Sequence, residues 1–248
     1  MNAADMNEHA DISKGKLTTA SGGDVALIFI ENPPNGVIDD AVRTTLFAQF
    51  AAARDDDAVR AIVLAGKDGA FAMGTTLEPA RVVDDEDDGE DGEDAGDDLA
   101  TLCDQIEAMD KPVVAAITGP ALGNGLELAL AAHLRVVSPS SRLGAPEITI
   151  GLVPGAGGTQ RRPKVVGGLT ALKMLLSGRA VNGEAAKKIG LADVLVDTDV
   201  LDAAIELARE AAFSGEPLQR SATRRDRLGE GNAFLEAVAE HRRQAAAS

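Results

Sequence analysis

The sequence predicts an α/β fold, and three observations carry the prediction. Short apolar runs rich in Val, Ile and Ala (VALIFI within Asp24–Glu31, then Ala61–Ala65 and Pro112–Thr118) have the length and composition of buried strands. Between them lie segments with apolar residues at helical spacing, such as Val42, Leu46, Phe47 and Phe50. The second and third runs give way to turns of glycine and other small residues, and strands alternating with helices in this way define the class.

Taken in order, residues 1–12 show no apolar period and read as a disordered N-terminus. Lys16–Ala20 and Asp24–Glu31 flank Ser21-Gly22-Gly23 and read as a hairpin. After the loop Asn32-Pro33-Pro34-Asn35-Gly36, Asp39 or Asp40 is placed to cap the helix through Val42 and Phe50. The strand Ala61–Ala65 ends at Gly66, and Gly69–Leu77 is a small-residue turn leading toward a helix start. Helices are expected over Leu99–Met109, Leu169–Leu176, Gly183–Ile189, Val200–Ala212 and Phe234–Arg243, with a strand over Leu191–Val196. Residues 13–195 form the predicted core, and 196–248 a C-terminal helical region.

The chain has 248 residues, 45% of them apolar, enough for one sizeable core with at most a small added lobe. With no Trp or Tyr, that core must be built from aliphatic side chains and six Phe. The single cysteine, Cys103, excludes an intrachain disulfide and fits a reducing compartment; its helical register marks it as a small core residue. No stretch has the apolar length of a membrane span or a signal-peptide core, so a cytoplasmic, soluble protein is expected. The net charge of −16 is concentrated in 84–98, DDEDDGEDGEDAGDD, where eleven residues are acidic. Within 81–98 this reads as a mobile, solvated loop. It lacks the ligand spacing of a calcium loop, so no metal is expected, and so acidic a chain argues against a nucleic-acid partner.

The stretch from Lys111 to Arg162 carries the chemistry. An apolar strand runs through Gly119-Pro120 and Gly123-Asn124-Gly125 into a helical pattern opened by Leu126. Such a turn points free backbone N–H groups at whatever lies above it, a phosphate or a developing oxyanion. Glu127 stands in the first turn of that helix, and Glu147 follows beside Pro146. Spacing alone favours two glutamates that simply cap or line helix termini. Two carboxyl groups in apolar surroundings, one protonated and one ionised, are also what acid–base chemistry at carbon requires. His133 reads as a core or interface histidine. Gly155-Ala156-Gly157-Gly158 resembles a phosphate cradle but fits neither the P-loop nor the dinucleotide pattern, and Arg220, Arg224, Arg225 and Arg227 form a basic segment.

ALGNGLELALAAHLRV followed by LGAPEITIGLVPGAGGTQRRPKVVG resembles the crotonase superfamily of enoyl-CoA hydratases and isomerases, most of all the hydratase halves of multifunctional fatty-acid oxidation enzymes. The resemblance covers about residues 15–215. It implies a crotonase-like spiral of ββα units, a C-terminal α-helical oligomerisation region, and homotrimers or dimers of trimers. It implies an acyl-CoA thioester substrate, with coenzyme A part of that substrate and no separate cofactor. Glu127 and Glu147 become the catalytic pair, the first activating the water that adds to C3, the second supplying the proton to C2. The N–H groups of Thr75 and Asn124 become the oxyanion hole; Ala72, Met73, Gly74, Gly123 and Gly155 become substrate or CoA contacts. Gly155–Gly158 is implied to shape the acyl pocket, and the basic C-terminal residues are in reach of a role at the CoA phosphates. Asn124 departs from the family's three-glycine turn, although Asn tolerates positive φ better than most residues. The loops Gly74-Thr75-Thr76-Leu77 and Asn32–Asp39 also depart from the pattern. The implied reaction is 2-trans-enoyl-CoA hydration; double-bond isomerisation, another crotonase reaction, and non-catalytic acyl-CoA binding are the alternatives.

Overall fold

The computed structural model describes residues 17–32, 36–67, 69–74, 98–229 and 231–246. Residues 1–12, Thr75 and the acidic run up to Asp97 therefore lie outside the described residues.

The hairpin strands β1 (Thr18–Thr19) and β2 (Val25–Ile30) pair antiparallel, with Thr18 opposite Leu27. From β2 the sheet continues in parallel through β3 (Ala61–Gly66), β5 (Val113–Ile117), β7 (Leu134–Val137) and β10 (Val194–Leu195). A second sheet holds β4 (Ala72–Met73), β6 (Pro120–Leu122), β8 (Arg142–Gly144) and β9 (Val181–Asn182) in that order. Each of β3, β5 and β7 thus sends the chain into a partner strand of the second sheet. Helix α2 (Leu99–Ala108) follows the first such pair, and α3 (Asn124–Ala131) the second. The 3-10 helix Pro146–Ile150 and α4 (Gly158–Val166) follow the third. That recurrence is the spiral of ββα units, and it repeats geometry without repeating sequence.

Alternation within the strands explains why both faces of the first sheet are covered. Ala26, Ile28 and Ile30 of β2 point into the larger core with Leu46 and Phe50 of α1 (Asp40–Asp55) and Leu102 and Ile106 of α2. Val25 and Leu27 point the other way, onto Ala204, Ile205 and Ala208 of α7 (Val200–Phe213). A strand buried on both sides reads as a continuous apolar run. Burying each large aliphatic or Phe side chain contributes about 1.5–3 kcal/mol. Asp39 caps α1, accepting the Val42 N–H at 2.9 Å. Helices α5 (Gly168–Ser177), α6 (Gly183–Ile189) and α8 (Gly231–Ala246) complete the chain. Thus α7, the first helix of the 196–248 region, covers the core sheet, while α8 touches the body at α5.

Two sequence expectations are corrected. The helix after the Gly-rich turn begins at Asn124, not Leu126, because Gly125 is helical and packs its bare Cα on β4. His133 lies beyond the end of that helix, where its buried Nδ1 accepts the Val113 N–H at 2.9 Å. Among the described residues no helix is long and apolar enough to cross a membrane.

Candidate active site

The first wall of the site is the meeting of two turns. Gly123 precedes α3 with φ of 55° and ψ of −123°, a backbone conformation that L-residues rarely adopt and glycine takes freely. It therefore absorbs the strain that the sequence reading puts on Asn124, which takes helical geometry instead. Two residues on, a Cβ at Gly125 would lie 2.2 Å from the Ala72 carbonyl oxygen, so only glycine lets α3 sit on β4. Gly74 ends the facing turn: its N–H donates to the Leu122 carbonyl at 2.9 Å. Its Cα lies 3.4 Å from where a Gly123 Cβ would stand.

A cavity of about 370 Å³ opens at this junction, lined by Met73, Gly74, Gly123, Asn124, Glu147 and Gly155 among others. Its rim is apolar: Ile150, Leu152 and Val153 are exposed, Val153 by 71%. As the first residue of α3, Asn124 has an N–H with no carbonyl one helical turn back to accept it. The structure thus brings Met73, Gly74, Gly123, Asn124, Glu147 and Gly155 together, as the resemblance implies. Ala72 is fully buried beneath Gly125 and does not reach the cavity wall.

Glu147 lies on the 3-10 helix with Pro146 at its start. Both carboxylate oxygens are buried, and neither accepts a hydrogen bond from any described residue. One of them, Oε1, lies 3.1 Å from the Cβ position of Gly123, so a side chain there would crowd it. Glu127 is 0% exposed and stands behind the cavity wall, not on it. Its Oε2 accepts the Ala156 N–H at 2.9 Å and its Oε1 the Gly158 N–H at 2.7 Å. Burial pushes the Glu127 carboxyl up from its usual range, the two backbone donors pull it down, the Glu147 charge adds to the rise and Arg162 opposes it.

Sequence reasoning missed the turn's second role. Gly155 faces the cavity, but Ala156 and Gly158 grip Glu127. Arg161 holds the turn in turn, donating from Nη1 to the Ala156 carbonyl at 2.8 Å and from Nε to Glu107 at 3.0 Å, and pairing with Asp104. Glu107 also accepts the Ala222 N–H at 2.6 Å and the Ser221 hydroxyl, tying the C-terminal segment to the site. The signal was present: Gly158, Arg161, Arg162, Val165 and Val166 are the buried face of α4 at helical spacing, once arginine is counted as an inward residue. Cys103, also on α2, is fully buried, and burial pushes its thiol far above the usual range, so it is no nucleophile here. Of the basic C-terminal segment, Arg220 is bound at the end of α2, to the Met109 carbonyl at 3.2 Å and to Asp110 at 3.0 Å.

Two sheets linked by ββα units, with a carboxyl pair beside a cleft and a helix N-terminus on its wall, define a crotonase-fold protein. The sequence matches the profile of the enoyl-CoA hydratase/isomerase family over residues 20–224, and the chain belongs to that family. Among curated proteins it is 40% identical over 194 residues to a zebrafish (Danio rerio) peroxisomal bifunctional enzyme, covering 78% of this chain and 25% of that one. It is 39% identical over 215 residues to the Arabidopsis thaliana peroxisomal fatty acid beta-oxidation multifunctional protein AIM1, covering 86% of this chain and 30% of that one. The chain thus spans about a quarter to a third of the length of these relatives. Among solved structures, the enoyl-CoA hydratase from Bacillus anthracis matches with TM-score 0.68 and 30% identity, over 76% of this chain and 73% of that one. Pseudomonas aeruginosa DspI matches with TM-score 0.69 and 30% identity, over 93% and 94% of the two chains.

Proposed function

We propose that the protein is a 2-trans-enoyl-CoA hydratase. The observation that carries the reading is the Glu147 carboxylate: buried, without a hydrogen-bond donor among the described residues, and set in an apolar-rimmed cavity against the first helical residue of α3. A thioester carbonyl beside Asn124 N–H, with Thr75 N–H as the second donor, would have its developing enolate oxygen stabilised by backbone dipoles. An apolar acyl chain suits the rim of Ile150, Leu152 and Val153.

Glu127 selects hydration over isomerisation. An ionised carboxylate offers about four acceptor positions, and two of Glu127's are taken by Ala156 and Gly158 N–H. The remaining positions are left for a water shared with Glu147 in the proposed reaction. Glu127 takes a proton from that water as its oxygen bonds to C3. Glu147, entering the step as the protonated member of the pair, delivers its proton to C2. The proton taken up by Glu127 then passes back to Glu147, so the net addition across the double bond is the elements of one water. The competing reading is Δ3,Δ2-enoyl-CoA isomerisation, favoured by one observation: Glu147 alone of the two carboxylates lines the cavity. A single base at that position suffices to move a proton between carbons.

Loss of the conjugated-thioester absorbance on mixing with crotonyl-CoA, and isomerisation of a 3-enoyl-CoA, separate these readings. Hydration is expected in the wild type and a fall of about 10²-fold or more in Glu127→Ala, with isomerisation retained. Hydration at near wild-type rate in Glu127→Ala refutes the role of Glu127. Affinity for crotonyl-CoA without turnover makes the chain a binding protein instead. Assembly as homotrimers or dimers of trimers is part of the same proposal, supported by the exposed Leu235 on α8 and Phe213 on α7; a monomer in sedimentation removes it. A cytoplasmic location is supported by the lone buried cysteine, and the peroxisomal names of the relatives make that organelle the outcome against it in fractionation.

A further inference from the structure

Arg162 lies four residues after Gly158 on α4. Residues four apart share a helix face, and a helical side chain leans back over the turn that precedes it. Since Gly158 donates its N–H to Glu127, the guanidinium of Arg162 is carried toward that same carboxylate. Arg162 is 0% exposed, and none of its three nitrogens donates a hydrogen bond to any described residue. Its neighbour Arg161 shows the contrast, with Glu107, Asp104 and the Ala156 carbonyl as partners. A guanidinium does not lose its proton in proteins, so Arg162 cannot escape burial by becoming neutral. It has to be offset by nearby negative charge.

The charged groups around it are few. Glu127 on α3 and Glu147 on the 3-10 helix both act on Arg162 electrostatically. On α2, Asp104 and Glu107 are engaged by Arg161, and Cys103 is held as a neutral thiol by burial. Lys173 of α5 and Arg142 of β8 are exposed to solvent, and Lys164 of α4 is half-buried and donates to the Ala222 carbonyl at 3.1 Å. Among the described residues, that leaves Glu127 and Glu147 as the counter-charge.

We propose that Arg162 is a positioning residue that sets the charge of the Glu127–Glu147 pair, its buried cation balanced by one net negative charge so that the two carboxyls share a single proton at rest. Both ionised, the cluster would carry one unbalanced negative charge; both protonated, one unbalanced positive charge. With one proton it is neutral, the state that burial favours. It is also the state hydration needs, one carboxylate to accept a proton from water and one acid to deliver it. The catalytic consequence rests on the hydratase reading; the proton count does not.

Two readouts keep these apart. The first is the infrared carbonyl band of a protonated carboxyl, measured against pH in substrate-free protein and assigned by its loss in Glu127→Gln and Glu147→Gln. The second is the pH profile of crotonyl-CoA turnover. The wild type is expected to show one protonated carboxyl near neutral pH. In Arg162→Met, loss of the cation favours protonation, so the band's titration and the acid limb of turnover move up by about one pH unit or more. Arg162→Lys, which keeps a cation, returns the titration most of the way to that of the wild type. An unshifted band in Arg162→Met overturns the proposal and leaves Arg162 a packing residue. A shifted band without turnover in the wild type leaves the charge balance standing and removes the hydratase reading. Should Arg162→Met fail to fold, combining it with Glu127→Gln removes one charge of each sign. Recovery of folded protein supports the balance, and continued failure overturns it.

Discussion

Protonating His133 should cost the fold about 3 kcal/mol by pH 4. The ring is 3% exposed, and its Nδ1 accepts the Val113 N–H at 2.9 Å, an arrangement possible only for the neutral tautomer with the proton on Nε2. Burial pulls the imidazole down to about 4, with Arg220 and Arg135 pulling the same way and the Glu107 carbonyl and carboxylate opposing. The unfolded chain therefore takes up a proton near the ordinary pKa of about 6.5, whereas the folded chain resists until about 4. Between those values the unfolded state binds more protons, so stability falls as pH falls through the window and is unaffected above it. The displacement of 2.5 units from 6.5 to about 4, at about 1.4 kcal/mol per unit, less the partial protonation of the folded form at pH 4, gives the figure above. Other titrating groups overlay this, so the test is a difference. In His133→Asn the Oδ1 takes the place of Nδ1 as acceptor and does not titrate. Urea unfolding of both proteins from about pH 7.5, about one unit above the window, down to about pH 4, its lower edge, should give curves that converge as the pH drops, the wild type losing its advantage. Parallel curves would refute the neutral, buried histidine.

Gly125→Ala is expected to destabilise the protein by about 2 kcal/mol or more, because its Cβ meets the Ala72 carbonyl at 2.2 Å, backbone that has no room to yield. Denaturant midpoints measure it, and a loss under about 0.5 kcal/mol would mean that α3 is not seated on β4 as described. Cys103 should resist iodoacetamide in the native protein and react only as fast as the core opens, since its thiol is buried and held protonated. Alkylation at the rate of a free thiol contradicts that burial.

Much of the fold was legible because its strands are buried on both faces and so announce themselves as Val/Ile/Ala runs: VALIFI, Ala61–Ala65 and Val113–Ile117 all fall where the sequence puts them. The second sheet was not legible. Its strands are two or three residues long, too short for any period, and they exist because the first sheet positions them. Helix α4 was hidden by Pro163 inside it and by two arginines on its inward face. The two glutamates were found from their place in a motif, yet their environments differ in a way no spacing reveals: Glu127 held by two N–H groups from a turn twenty-nine and thirty-one residues away, Glu147 with none among the described residues.

Adjacent arginines on one helix end in opposite circumstances, and the reason is helical geometry. Successive residues point about 100° apart, so Arg161 turns toward α2 and Arg162 toward the face that carries Gly158. Arg161 finds two carboxylates and a carbonyl, and through Glu107 it fastens Ser221 and Ala222 to the back of the site. Its hold on the Ala156 carbonyl keeps the Ala156 and Gly158 N–H groups aimed at Glu127. Arg162 finds no hydrogen-bond acceptor among the described residues, and its charge is felt by the same Glu127. Helix α4 and the turn before it thus apply two like influences to one carboxyl, neutral donors and a cation that both favour its ionised form, against a packed interior that favours its protonated form. Glu127 rises because the interior prevails, though by less than burial alone would give. Removing either arginine disturbs that balance from a different side, Arg161 by loosening the donors and Arg162 by deleting the charge.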